Sequence, residues 1–374
     1  MNLSFLRRLY ATPGPWASLY LDASHDTEDA RQATDLRLRA AQAELRDAGA
    51  DEDTLSAMES AARGEPLHTG RYGLAVFGAA GRAHHVEVLA EPPPHEFTEY
   101  GPLPHVMPML AQRGERVPWL RVVVDRTGAD IVGATTGGTA VAETVKGSNT
   151  FPIRKVQPGG WSQQRYQNSA ELTWDRNAAE VAEAVTDLAA ELGAEILVVA
   201  GDVHARPLLV DRLPKRWQAR VVGTEAGSRA AGADPQPLDD ATAAAVAAKA
   251  REHVADVIDR FQGQLGRDEA AGAGLPAVVT ALQRGQVDTM ILVNDPTSTD
   301  KLWIGPGPLD LSFDPAELRA LGVDEPVQVR ADAALVRALA GADADLIVVE
   351  PGELTIEGGV GALLRYADAG TRHR

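Results

Sequence analysis

Gly159 and Gly160 stand side by side in VQPGGWSQQRYQNSAE, residues 156–171, followed at once by Trp161, Ser162 and the amides Gln163 and Gln164, then Arg165 and Tyr166. Adjacent glycines let a backbone come close to another surface, and Pro158 stiffens the approach. The amides and Arg165 can hydrogen-bond phosphates or base edges, while Trp161 and Tyr166 offer faces on which unpaired RNA bases stack. From Lys146 to Ala170 the charged residues are Lys146, Arg154, Lys155 and Arg165, with no Asp or Glu among them. The expected site is therefore a basic, glycine-tipped RNA-contacting loop. The plainer alternative is a solvated loop whose Trp161 packs back on its own domain.

The rest of the chain narrows the chemistry. A formal charge of −17 argues against nucleic-acid binding by the whole surface, DNA included, but leaves room for a local basic patch. There are no cysteines, which removes disulfides, thiolate catalysis and cysteine zinc sites. The adjacent His84 and His85 sit in RAHHVEVLA, whose alternation predicts a strand with the two rings on opposite faces, so no metal site is expected there. No phosphate-binding glycine loop and no nucleophile elbow is present, so neither a nucleotide cofactor nor a serine hydrolase is expected. Asp125 ends a strand, where an acid could serve a metal nuclease, but it reads first as a turn-initiating residue. Apolar runs are strand-sized, the N-terminus does not read as a signal peptide, and the expected location is the cytoplasm without a membrane span.

Length predicts two or three domains, and the pattern divides the chain into three regions, 1–116, 117–266 and 267–374. The first has a strand at WASLYLDA, a long helix from about Thr27 to Gly49 and a hairpin around Ala79–Gly81, before proline-rich segments that break regular structure. The second opens with three strand runs, PWLRVVVD, ADIVGA and TAVAETVKG, expected as an antiparallel meander. Beyond the glycine loop, Val181, Val185, Leu188 and Leu192 recur at helical spacing in TWDRNAAEVAEAVTDLAAELGAE, and the buried strand EILVVAG follows. The third runs helix, glycine turn, strand, a polar Pro/Gly-rich insertion at DPTSTDKLWIGPGPLDLSFDP, helix, strand and a final strand. Alternating helices and strands make this an α/β chain whose third region is an α/β/α sandwich.

Gly159, Gly160, Ser162, Arg165 and Tyr166 resemble the Gly-Gly-Gln-Ser-x-x-Arg-Phe signature in the middle domain of archaeal and eukaryotic class-1 peptide-chain release factors. LRVVVDRTGADIVGATTGG and AEILVVAGD are similar to other strands of that domain, and VVTALQRGQVDTMILVND and GGVGALLRYAD to the family's C-terminal domain. The resemblance spans roughly residues 117 to 374 and points to the bacterial branch of the release factor and Pelota family, which includes Balon-like hibernation factors. It implies three domains, the middle one ribonuclease-H-like with the Gly-Gly loop. It also implies a partner, the ribosome, with its A site occupied, 23S rRNA contacted near the peptidyl-transferase centre, and delivery with elongation factor Tu. Trp161 replaces the glutamine that enters that centre, and stop-codon-reading motifs are missing from the N-terminal region. The expected role is thus non-enzymatic protection of idle ribosomes, with peptidyl-tRNA hydrolysis in release or rescue as one alternative and a stress-related adaptor as another.

Overall fold

The computed structural model describes residues 1–27, 29–65, 70–138, 140–146, 161–230, 232–267 and 269–367, and for residues 161–175 the backbone alone.

The first region starts with α1 (Arg7–Tyr10) and builds a four-stranded antiparallel sheet in the order β3-β2-β1-β4, from β1 (Trp16–Asp22), β2 (Gly73–Ala79), β3 (Arg82–Leu89) and β4 (Phe97–Gly101). Alternation along β1 separates two faces. Ala17, Leu19 and Leu21 meet Leu38 and Leu45 of α2 (Ala30–Asp47) and Leu55 and Met58 of α3 (Glu52–Gly64). Trp16 and Tyr20 turn to the opposite core. Asp51 accepts from the Thr54 amide at 2.8 Å, so the acidic run at 51–53 is a helix start.

Two expectations for this region are overturned. The ladder slips between Phe77 and Gly78, pairing Phe77 with His85 and Gly78 with Ala83, so His84 is the extra residue of a bulge. Both imidazoles consequently face one aromatic layer, His84 against Trp16 at 5.0 Å and His85 against Phe77 at 6.2 Å. The proline-rich stretch also contains structure. β4 lies between Pro94 and Pro102 as an edge strand, and α4 (Met107–Arg113) carries Pro108 in its first turn, where no N–H is needed.

The middle region forms the expected meander of β5 (Trp119–Asp125), β6 (Gly128–Ala134) and β7 (Ala140–Lys146), then extends it in parallel with β8 (Ile196–Gly201) and β9 (Val221–Gly223). The order is β7-β6-β5-β8-β9, a ribonuclease-H-like arrangement. One face is covered by α5 (Trp161–Leu192), α6 (Ala205–Arg212) and α7 (Lys215–Gln218): Val181, Val185 and Ala189 pack with Leu120, Val122, Leu197, Val199, Leu209 and Trp217. On the other face Val117, Ile196 and Val198 meet Ala245 and Val246 of α8 (Gln236–Gly266).

The third region contains β10 (Ala271–Ala273), α9 (Leu275–Gln283), β11 (Val287–Val293), β12 (Lys301–Ile304), β13 (Leu311–Ser312), α10 (Pro315–Ala320), β14 (Val327–Arg330), α11 (Ala331–Ala342), β15 (Asp345–Val349) and β16 (Val360–Leu364). Its main sheet, β10-β16-β11-β15, has α9 and α11 on one side, and on the other Phe261 of α8 lies against Gly361. The polar insertion is more ordered than its composition suggests, supplying β12 and β13, which join β14 in a second sheet, β13-β12-β14, whose Leu302, Leu311 and Val329 are buried in the same core as α11.

Contacts divide the chain into two compact units: Met1–Glu115 with Asp256–Arg374, and Arg116–Ala255. The first and third regions make one unit because Trp16, Tyr20 and Phe77 share a core with α9 and α11, and because Arg7 reaches the Ala340 carbonyl (3.0 Å) and Asp343 (2.6 Å) at the end of α11.

Glycines decide the middle sheet. Gly201 has φ +109°, and an ideal Cβ there would stand 2.0 Å from the Val124 carbonyl oxygen on the neighbouring strand. Gly193, at the end of α5, has φ +63° but nothing within 4 Å of such a Cβ. Gly201→Ala is therefore expected to cost more than about 3 kcal/mol and Gly193→Ala about 1 kcal/mol, read from urea unfolding midpoints. Equal losses would contradict the close-approach argument.

Candidate functional site

The strands of the middle sheet set up one functional edge. β5, β8 and β9 run parallel and β7 runs with them, so Asp125, Gly201, Gly223 and Lys146 all end at the same side. Lys146 is exposed and pairs with Gly128 in the ladder. Gly128, at φ +152°, leaves no room for a Cβ, which would lie 2.0 Å from the Val145 carbonyl oxygen. The last described residue before the glycine pair, Lys146, thus stands at this edge.

The other end of that segment is α5, and here the sequence expectation changes. Trp161 to Tyr166, expected in a loop, form the first turns of the helix, whose predicted start at about Thr173 is twelve residues late. No Gly or Pro interrupts Trp161–Leu192, and the amides, Arg165 and the alanines sustain a helix. Its 32 residues rise about 48 Å, whereas the seven residues of β5 rise about 23 Å. Asn177 donates to the Arg126 carbonyl at 3.0 Å, marking where the helix passes the sheet edge. Burial agrees: Asn177, Ala178, Val181, Ala182, Val185, Ala189 and Leu192 are buried, whereas Arg176 is exposed. The half of α5 that packs is the half whose apolar periodicity was legible; the polar half continues beyond.

Of the candidate residues, Gly159, Gly160, Arg154 and Lys155 lie outside the described residues. Trp161, Ser162, Gln163, Gln164, Arg165 and Tyr166 are described as helical backbone only.

Around this edge lies an ion-pair network that sequence reasoning missed. Asp125 Oδ1 accepts from the Thr127 amide and hydroxyl, each at 2.7 Å, and from Arg229 Nη1 at 2.8 Å. It is a turn-initiating aspartate, as expected, held further by a distant arginine. Arg229 also donates to Asp130 at 3.0 and 3.3 Å, and that hydrogen bond holds the Asp130 carboxyl below the usual carboxylate range. Next to it, burial would push Asp202 up, but the amides of His204 and Ala205 and the charge of Arg126 outweigh burial and hold it low. Arg206 clamps Thr224 and Glu225 at 2.8 Å. No signal could have announced these pairs, because their partners stand 19 to 104 residues apart. Among the described residues no group of side chains could hold a metal ion, and no helix is long and apolar enough to cross a membrane.

The middle region is thus an α/β unit of ribonuclease-H-like strand order, with the glycine pair lying in the sequence between β7 and α5. The model of bacterial archaeo-eukaryotic release factor family 2 matches residues 118–267. Two uncharacterized proteins of Mycobacterium tuberculosis, from strains CDC 1551 / Oshkosh and ATCC 25618 / H37Rv, are each 31% identical over 371 residues, 98% of this chain and 97% of theirs. Among solved structures, an archaeal translation termination factor shares 17% identity over 98% of this chain and 99% of its own, with a TM-score of 0.28. Archaeoglobus fulgidus Pelota shares 12% over 98% and 92%, with a TM-score of 0.36. The chain belongs to the bacterial archaeo-eukaryotic release factors, family 2.

The Arg229 network has a testable pH dependence. Because the folded Asp130 pKa is depressed, its contribution to stability is present above the unfolded value of about 3.9 and is lost as pH falls through the folded value. Arg229→Gln is expected to cost up to about 1 kcal/mol at pH 7, with the gap to the natural protein narrower at about pH 3, below the unfolded value of about 3.9. Urea unfolding at both pH values checks this, and a gap unchanged with pH would count against the network.

Proposed function

We propose that the protein is a ribosome-binding translation factor that occupies the A site of idle ribosomes. In this reading Gly159 and Gly160 are placed near the peptidyl-transferase centre, and Lys146, Arg154, Lys155 and Arg165 contact 23S rRNA. Family membership supports the ribosomal setting, and delivery by elongation factor Tu belongs to the same proposal. The observation that carries the reading is an acid-free stretch of 25 residues, Lys146 to Ala170, in a chain of net charge −17. Charge is also unevenly divided. By count along the sequence the middle unit holds 16 basic and 17 acidic residues, whereas the other unit holds 20 and 36. RNA therefore meets least repulsion at the unit that bears the glycine pair.

Protection rather than hydrolysis follows from residue chemistry. A glutamine beside the glycine pair offers an acceptor and a donor to a water molecule; the indole of Trp161 has one donor and no acceptor, and fills space. The loop is suited to occupying a catalytic centre.

Co-sedimentation with 70S ribosomes is expected at about 50 mM salt and to weaken steeply by about 200 mM. Absence of association at low salt would sink the proposal. On stalled complexes, peptidyl-tRNA is expected to stay intact. Release above background that disappears in Gly159→Ala or Gly160→Ala would establish the hydrolytic alternative instead.

A further inference from the structure

The middle unit carries a second basic surface, at the edge opposite Lys146. Between Arg212 and Thr224 there are four cations, Arg212, Lys215, Arg216 and Arg220, and no acid. Leu213 and Trp217, four residues apart, are buried in the sheet's helical face, so the side chains between them are turned outward. All four cations are exposed. Among the described residues Lys215, Arg216 and Arg220 have no carboxylate partner: Lys215 reaches Gln218 at 3.3 Å, and Arg220 is bonded to the Ala194 carbonyl.

The segment is held stiffly. Gln218 donates to the Leu213 carbonyl at 2.8 Å, closing the turn, and the guanidinium groups of Arg216 and Arg220 lie 5.3 and 5.1 Å from the indole of Trp217. Arginines stacked on one fixed ring present their donor forks with little rotational freedom left to lose, a presentation suited to phosphate oxygens. Arg220 bonds through its carbonyl to the Leu197 amide at the start of β8, whereas Lys146 stands where the parallel strands end. The six residues of β8 put about 20 Å between the two basic regions along the strands.

We propose that Lys215, Arg216 and Arg220, with Arg212, form a second RNA-backbone contact, gripping phosphates of a segment distinct from the one that meets the glycine pair. The proposal rests on the reading that the protein binds ribosomes. It adds what that reading lacks: contacts at both ends of one sheet fix the direction in which the glycine pair points. An acidic protein surface would also attract these charges. RNA is favoured because a chain this acidic can approach RNA only through local clusters of cations, and this cluster is denser along the sequence than the one at the glycine pair.

The test uses the full chain with Lys215→Gln and Arg216→Gln together, both exposed, so folding is retained. Binding to 70S ribosomes is followed against salt, with nucleotide footprinting on the rRNA. Loss of two phosphate contacts is expected to lower the slope of log affinity against log salt by about 1.4 and to weaken binding roughly 25-fold at about 0.1 M salt, and a patch of rRNA protections should vanish. If the natural protein binds and the double variant binds equally with the same slope, this proposal fails while the ribosomal reading stands. If the natural protein does not bind, both fail. Weaker binding with the rRNA protections intact would assign the patch to a protein partner and overturn the RNA contact.

Discussion

The middle sheet depends on two places where backbones touch with no room for a side chain. Gly201 lies against the Val124 carbonyl and Gly128 against the Val145 carbonyl, so β8 is held close to the end of β5 and β6 close to the end of β7. The Asp202 amide then bonds to Val124 at 2.9 Å and carries the parallel pairing one step past the strand. This brings the β5–β6 turn, the β8–α6 turn and the end of β7 to one edge, where Asp125, Asp130 and Asp202 come within reach of Arg229 and Arg126. The acids and bases there neutralise one another.

The unit formed by the first and third regions is strongly acidic, while the middle unit is close to neutral. Surface potential falls off over about 10 Å at 0.1 M salt, so an acidic unit repels RNA locally while leaving clusters elsewhere in the chain effective. A uniform distribution of the same net charge would cancel either cluster. In the proposed role, such segregation would let a net anion bind a polyanion, with a salt sensitivity that contacts between apolar surfaces would not show.

Much of the architecture was legible because strand and helix periods are local signals. The three runs from Trp119 to Lys146 appear as the meander their alternation implies, and Val181, Val185 and Leu192 pack as their spacing implies. What failed was pattern that tertiary context overrode. A bulge at His84 turned two neighbouring imidazoles to one side. The insertion after Asn294 looked like a loop because its strands are only two to four residues long. The sharing of a core between Trp16 and α11, like the bond from Arg229 to Asp125, joins residues too distant for any window to connect.

The site itself shows where a motif says more than periodicity. Apolar spacing places the start of α5 near Thr173, close to where buried residues start at Asn177, and is silent about the twelve helical residues before it. The Gly-Gly signature marks that silent part. Gln163 and Gln164 fall roughly 3 and 4.5 Å further along the helix axis than Trp161. A helical start after the glycine pair and an indole at its first residue are therefore two parts of one constraint. The backbone makes Trp161 the residue that leads the helix, at the position where the resembled signature has its glutamine.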